Sequence, residues 1–212
     1  ACRLVALHRE RMSANLDQVR GREELHPRRV ADDGVDQCAL VDDTVAPTAQ
    51  ERIIQGAECP AAKSPVVLVS VAPPNDFADI CTGSLIVPNV VLTAAHCMTG
   101  SVNGVGVYVN GRSVAASRII IHPGFRIDEA QGLIFDDVAL IYLAQPVLDN
   151  TLPLVISRTP GVGEPMAIYG YGLDEFRVQG EYRSGVMTIS NVTATHIYAD
   201  FTGKQSNTCG GD

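Results

Sequence analysis

The stretch Leu92–Cys97, which reads LTAAHC, places His96 behind two alanines and directly before a cysteine. It follows the apolar run of residues 83–91, which predicts a pair of strands with a turn at Pro88-Asn89. The small alanines allow another group to approach the imidazole closely, and Cys97 offers a covalent anchor for the turn. A histidine held in this way suits the role of a fixed general base.

Two later segments supply groups that such a base requires. Asp136 and Asp137 open the run VALI, whose β propensity places a carboxylate at the start of a buried strand. A buried carboxylate needs a partner because burying it unpaired is costly, and an imidazole N–H is suitable. The segment of residues 207–212, NTCGGD, contains glycines whose conformational freedom lets backbone N–H groups face a developing oxyanion.

Taken together and in this order, the segments resemble the trypsin/chymotrypsin family of serine proteases. That family carries a TAAHC motif, a DIAL-like motif, and GDSGG around its nucleophile. The stretch RIIQG, residues 52–56, resembles the family's activation site. Weaker matches are IIHPGF, residues 120–125, and IYGYG, residues 168–172, where Tyr171 stands in the place of the family's tryptophan. The resemblance covers the chain from Arg52 to Asp212.

The pattern of short apolar runs predicts an all-β protein. Turn residues separate the runs at regular intervals, as in a barrel or sandwich, and Asn110-Gly111 is a strong hairpin signal. The resemblance implies two antiparallel Greek-key β-barrels, the second incomplete in this chain, with the catalytic groups at their junction. The predicted strands cover residues 66–71, 84–87, 90–93, 105–109, 113–121, 138–143, 166–171, 185–190 and 195–201.

Three parts follow from these matches. Residues 1–52 are expected to form a partly helical or irregular pro-segment, because apolar side chains recur at near-helical spacing over residues 3–24. Residues 53–150 are expected to form the first β-barrel, which carries the catalytic histidine and aspartate. Residues 151–212 are expected to form the second β-barrel, truncated before the nucleophile.

The resemblance also implies a role for each candidate catalytic residue. His96 would take the proton from the nucleophile, and Asp137 would orient the histidine. Asp137 is preferred to Asp136 because it directly precedes the Val-Ala-Leu run. Gly211 would donate one N–H of the oxyanion hole.

The family's nucleophilic serine would follow Asp212, where the chain ends. We expect the remainder of the catalytic domain to follow, because strands of the second barrel would otherwise expose unpaired edges. A break at a modified serine, a truncated chain and a natural protein without the serine are the three explanations that the sequence leaves open.

Activation and specificity are implied by four further positions. Cleavage after Arg52 would free the ammonium group of Ile53 to pair with the carboxylate of Asp212. Removing one partner of such a buried pair costs roughly 3–5 kcal/mol, enough to couple one cut to formation of the oxyanion hole. Asn207 maps to the floor of the specificity pocket, where trypsin-like members carry an aspartate. A strict preference for basic residues is therefore not expected, although pocket residues after Asp212 could supply a carboxylate. A separate Arg-directed protease is the expected activator.

The six cysteines favour an oxidising compartment, and the protein is expected to be secreted, or periplasmic in a bacterium. The resemblance implies a disulfide between Cys81 and Cys97, and a partner for Cys209 beyond the end of the chain. Cys59 could tie the leader to the enzyme. Its candidate partners are Cys38 and Cys2.

The composition of the chain excludes several classes of partner and ligand. A net charge of −8 argues against nucleic acid and anionic membranes, and no apolar stretch approaches membrane-spanning length. Residues 98–127 contain no Asp or Glu, so the family's carboxylate-rich calcium loop is not expected. We expect no metal and no cofactor. His122 is expected to be structural, and the histidines at three other positions are expected to be ordinary surface residues: His8, His26 and His196.

Two functions remain open from the sequence. The first is a secreted serine endopeptidase, made as a zymogen, that hydrolyses protein or peptide substrates through an acyl-enzyme. The alternative is a catalytically inactive protease homologue that acts as a binding or regulatory module. Retention of His96, Asp137 and Gly211 favours the endopeptidase, because a pure binding scaffold needs none of them.

Overall fold

The structure, a computed structural model, describes residues 57–59, 61, 64–72, 79–99, 104–148, 151–152, 154, 158–172 and 180–199. The expected pro-segment of residues 1–52 lies outside the described residues. In the part of the chain that is described, no helix is long and apolar enough to span a membrane.

Strands dominate the described residues, which confirms the predicted all-β class. One short 3-10 turn, Ala95–Met98, interrupts them. The strands are β1 (Ala57–Glu58), β2 (Val66–Ala72), β3 (Asp79–Val87), β4 (Val90–Thr93), β5 (Gly104–Val109), β6 (Arg112–Ile121), β7 (Arg126–Asp128), β8 (Leu133–Phe135), β9 (Ala139–Leu143), β10 (Pro165–Gly170), β11 (Arg183–Val192) and β12 (Ile197–Ala199).

Six of these strands close into an antiparallel barrel in the order β2-β3-β4-β9-β6-β5. Alternate residues of the strands point inward and form its core, as the two-residue period of a strand requires. The core side chains that are fully buried include Val69, Leu85, Val91, Val107 and Ile141. Gly83 lets β3 approach this core closely, because a Cβ there would come within 2.6 Å of Cγ1 of Val91.

Both predicted turns are confirmed. Pro88 and Asn89 connect β3 to β4, and Asn110 and Gly111 connect β5 to β6. Asn110 and Gly111 have φ values of 48° and 72°, the left-handed pair that a type I′ hairpin turn needs. The turn therefore fixes the register of β5 against β6.

A second sheet packs against the barrel. Its order is β1-β11-β10, and β12 also pairs with β11. β1 precedes the barrel strands in sequence, yet Ala57 and Glu58 pair with Ser184 and Arg183 of β11. The described chain thus begins against the second sheet before it enters the barrel.

Two tyrosines connect the second sheet to the barrel. Tyr171 and Tyr182 stack with ring centroids 5.2 Å apart and pack on Val66, Leu68 and Ile80. The backbone N–H of Tyr171 donates to a threonine hydroxyl of β3 at 2.9 Å, and its own hydroxyl donates to the carbonyl of Val66 at 3.4 Å. Burial raises the pKa of both tyrosines, so both stay neutral.

Replacing Tyr171 with alanine is expected to lower the free energy of unfolding by about 3–5 kcal/mol, because it removes a large buried ring at the junction. Tyr171→Phe, the matched control, is expected to cost about 1 kcal/mol or less, since it removes only one long hydrogen bond. Urea denaturation followed by fluorescence would measure both. Equal losses in the two variants would show that the hydroxyl, rather than the ring, holds the junction.

The hairpin of β7 and β8 was not predicted from the sequence. Each strand has three residues, too few to display an alternating pattern. Arg126 pairs with Phe135 and Asp128 with Leu133. The hairpin leads directly into Asp136 and Asp137.

Candidate active site

The 3-10 turn after β4 carries His96. Ala95 and Met98 of this turn are buried in the barrel core, and a disulfide joins Cys97 to Cys81 of β3. The predicted Cys81–Cys97 bridge is therefore confirmed. Anchored on both sides, the turn presents the His96 side chain at the surface with 45% of it exposed.

Asp137 lies in a tight turn between β8 and β9. Asp136 has a φ of 50°, and its carbonyl accepts the N–H of Val138 at 2.8 Å, which makes Asp137 the central residue of a γ-turn. In the neighbouring ladder, Thr93 at the end of β4 pairs with Ala139 at the start of β9. The antiparallel pairing of β4 and β9 therefore brings the turn after β4, which carries His96, next to the turn before β9, which carries Asp137.

The carboxylate of Asp137 makes two hydrogen bonds to His96. Oδ2 lies 2.8 Å from Nδ1 of the ring, and Oδ1 accepts the backbone N–H of His96 at 2.8 Å. Because a carboxylate only accepts, Nδ1 carries the proton, a tautomer assigned from the hydrogen-bond partners. The other nitrogen, Nε2, then has a lone pair with which it can take a proton.

The electrostatics of Asp137 favour its charged form. Burial raises the pKa of this carboxyl, but the hydrogen bonds from the ring and backbone of His96, together with electrostatic attraction to that residue, outweigh burial. The net pKa lies below its ordinary value of 3.8. Asp137 is therefore an anion at neutral pH, suited to stabilise a positive charge on the imidazole.

This shift predicts a pH dependence of stability. The folded protein binds fewer protons at Asp137 than the unfolded chain does, so the contribution is present above pH 3.8 and is lost as the pH falls below 3.8 through the folded pKa. Urea denaturation across this range should show wild-type stability falling more steeply with acid than that of Asp137→Asn. Identical slopes would contradict the prediction.

The neighbouring carboxylate of Asp136 faces another group. Its Oδ2 lies 4.0 Å from Nη1 of Arg126, and both side chains are about half exposed or more. Gly124 packs against this carboxylate so closely that a Cβ would overlap it. His122, expected to be structural, accepts the N–H of Gly124 at Nδ1. Of the two aspartates that the sequence offered, the structure brings Asp137 to His96.

Three potential metal-ligand atoms cluster beside the site. The sulfurs of Cys81 and Cys97 and a ring nitrogen of His96 all lie within 4.8 Å of one another. Because the two sulfurs are bonded to each other, neither is a thiolate, which is the form that binds metals. The disulfide accounts for this cluster.

Five of the expected site residues lie outside the described residues: Arg52, Ile53, Asn207, Gly211 and Asp212. The activation site, the specificity pocket and the oxyanion hole therefore stay predictions. Cys59 is disulfide-bonded, and its Sγ lies 3.3 Å from the hydroxyl oxygen of Ser184. Cys2, Cys38 and Cys209 lie outside the description, as do His8 and His26.

The expectation that His196 is an ordinary surface residue is wrong. Its Nε2 donates to the carbonyl of Ile134 at 2.9 Å, and its ring packs between Phe135 and Tyr198. The sequence around it reads TATH, which indicates a turn but contains nothing that points to a strand more than sixty residues earlier. His196 thus contacts the hairpin that leads to Asp137.

Comparisons with known proteins agree with the all-β fold. Residues 53–212 match the family model described as Trypsin. The chain is 32% identical to phenoloxidase-activating factor 3 of Holotrichia diomphalia over 130 residues, which cover 48% of this chain and 36% of that protein. It is 29% identical to a trypsin of Saccharopolyspora erythraea over 164 residues, which cover 71% of this chain and 70% of that protein.

A third relative is the venom peptide isomerase heavy chain of Agelenopsis aperta, 30% identical over 45% of this chain and 44% of that protein. The chain thus spans less than half the length of two of these three relatives. The solved structure of GrC superposes with a TM-score of 0.53 at 18% identity, covering 64% of this chain and 65% of that chain, and supports the likeness of fold.

Proposed function

Because the chain belongs to the trypsin family of serine proteases, we propose that it is the greater part of a serine endopeptidase made as a zymogen. The observation that supports this proposal is the pair of hydrogen bonds between His96 and Asp137. In the proposed organisation, residues 1–52 form the pro-segment, residues 53–150 the first barrel with the catalytic pair, and residues 151–212 the start of the second barrel.

The proposed reaction is acyl transfer to a serine that follows Asp212. Nε2 of His96 takes the proton of the serine hydroxyl while the serine oxygen attacks the peptide carbonyl carbon. As the C–N bond breaks, His96 returns that proton to the leaving amine, and an ester to serine remains. Water then attacks the ester with the same proton transfers and frees the acid. Asp137 stabilises the imidazolium that forms in each half.

The oxyanion hole and its control are the second part of the proposal. The backbone N–H of Gly211 and that of the following serine would bind the oxyanion of each tetrahedral intermediate. Cleavage after Arg52 would create the ammonium group of Ile53, which would pair with Asp212 and order these N–H groups. In the uncut chain Ile53 carries no charge, so the hole would be poorly formed.

The proposed function also suggests the partners of the protein and its location. Protein or peptide substrates are proposed, with an Arg-directed protease as the activator, because Asn207 lacks the charge that would favour cleavage after arginine. One relative is by name a phenoloxidase-activating factor, which fits a role in which this protein acts on another protein. The disulfides at Cys59 and between Cys81 and Cys97 support an extracellular or periplasmic location.

A serine-directed phosphonate tests the proposal. The full-length protein would be treated with the reagent before and after cleavage at Arg52, and the labelled residue would be located by mass spectrometry. We expect labelling of the serine after Asp212 in the cut form and much slower labelling in the uncut form.

Two variants serve as controls. Arg52→Gln should remain unlabelled after protease treatment, and His96→Ala should remain unlabelled even when it is cut. Absence of label from cut wild-type protein would reject the endopeptidase and favour the inactive homologue that binds or regulates.

A further inference from the structure

His196 connects the second sheet to the strand that precedes the catalytic carboxylate. It lies just before β12, and its Nε2 is 2.9 Å from the carbonyl oxygen of Ile134 in β8. A carbonyl only accepts, so Nε2 carries the proton. Nδ1 then accepts the hydroxyl of Thr195, whose oxygen is 2.8 Å away. Both ring nitrogens are therefore engaged, which fixes the tautomer and the ring plane.

The turn that carries His196 is itself tied together. The hydroxyl oxygen of Thr193 accepts the backbone N–H of His196 at 3.0 Å and that of Thr195 at 3.3 Å. The backbone N–H of Thr193 donates to the carbonyl of His196 at 2.8 Å. A ring on such a turn is positioned by its backbone as well as by its own two bonds.

Aromatic packing adds to the hydrogen bond. The rings of His196 and Phe135 meet edge to face with centroids 5.0 Å apart, and Tyr198 stacks on the imidazole at 5.7 Å. The guanidinium of Arg126 lies 3.9 Å from the centroid of Phe135. Phe135, the last residue of β8, is thus held by contacts from β7 and from the turn before β12.

The hairpin needs such support. β7 and β8 form a separate two-stranded sheet of three residues per strand, and a hairpin of that size is marginally stable alone. Phe135 is followed at once by Asp136, in its left-handed conformation, and then by Asp137. A shift of β8 would therefore move the carboxylate that fixes His96.

We propose that His196 is a positioning residue, which holds Asp137 in register with His96 by anchoring Ile134 and Phe135. It acts through β8 and not on the reacting atoms. The proposal rests on the proposed function for its effect on turnover, but its effect on the His96–Asp137 hydrogen bond stands independently.

Two substitutions and one control test it in the full-length protein cleaved after Arg52. His196→Ala removes the donor and the ring, whereas His196→Gln retains an amide N–H that can reach the carbonyl of Ile134. Ile189→Ala, in the buried face of β11, weakens the same sheet without touching His196. Each protein would be compared by steady-state kinetics, by thermal unfolding and by the low-field proton NMR signal of the Nδ1–H of His96.

We expect His196→Ala to lower kcat about tenfold while KM changes little, because a small misplacement of a catalytic group is costly. The low-field signal should shift or broaden in the same variant. His196→Gln should recover most of the kcat and of the signal. Ile189→Ala should lower the melting temperature while kcat and the signal stay as in the wild type.

Three results would overturn the proposal. Unchanged kcat and an unchanged signal in His196→Ala would show that His196 has only a structural role and does not position Asp137. A rise in KM with kcat preserved would make it a substrate contact. Equal losses in His196→Ala and His196→Gln would exclude the hydrogen bond to Ile134. If wild-type protein lacks turnover, the proposed function fails, and the NMR signal alone decides the role of His196.

Discussion

Replacing His96 with alanine is expected to lower kcat by about 10⁶-fold, because a triad deprived of its base retains only binding and oxyanion stabilisation. In the proposed reaction Nε2 of this imidazole takes the proton, since Nδ1 is hydrogen-bonded to Asp137. KM should change little, because the proton transfer occurs after substrate binds. The measurement is hydrolysis of a peptide ester and a peptide amide by the full-length protein cleaved after Arg52.

Thr99→Ala is the matched control for His96→Ala. Thr99 directly follows the same 3-10 turn, and its hydroxyl donates to the carbonyl of His96 at 2.8 Å. Its loss perturbs the turn but leaves the imidazole in place, so kcat should stay close to the wild-type value. Turnover by His96→Ala at the level of this control would show that another group acts as the base.

Replacing Asp137 with asparagine is expected to lower kcat by about 10⁴-fold, the loss found when the carboxylate of a Ser-His-Asp triad becomes an amide. The amide nitrogen would donate towards the ring, which favours the tautomer with the proton on Nε2 and removes the lone pair that accepts the serine proton. The negative charge that stabilises the imidazolium is lost as well. Both the shape of the pH profile of kcat/KM and its maximum value should change.

The adjacent aspartate provides a close control. Asp136→Asn removes only an exposed ion pair with Arg126 at 4.0 Å, of a kind that contributes about 0–1 kcal/mol. Asparagine also tolerates the left-handed conformation of this position. We expect kcat near the wild-type value, and an equal loss in both variants would show that the turn as a whole, rather than the Asp137 carboxylate, determines activity.

The two strands that precede His96, β3 and β4, could be predicted because the sequence patterns that indicate them are local. The apolar run, the turn at Pro88-Asn89 and the strand Val90–Thr93 all follow from residues adjacent in sequence. The position of Asp137 at the start of an apolar run was also readable. That His96 and Asp137 meet depends on the pairing of β4 with β9, which the family resemblance implied and which no local pattern contains.

The remaining features depend on packing between distant segments. β1 pairs with β11 across more than one hundred residues, and two-residue strands carry no periodic signal. The strands of the β7–β8 hairpin are also too short to be predicted from periodicity. The contact of His196 could not be predicted for another reason: a lone histidine in a turn has many possible neighbours, and only the tertiary structure selects Ile134.

Closure of the barrel has a consequence for synthesis of the protein. All six barrel strands lie within residues 66–143, so their ring of hydrogen bonds can close while later residues are still in the ribosomal tunnel. Val66, Leu68 and Ile80, however, receive Tyr171 and Tyr182 only when those residues have left the tunnel. During that interval the nascent chain presents an apolar face that a chaperone could bind.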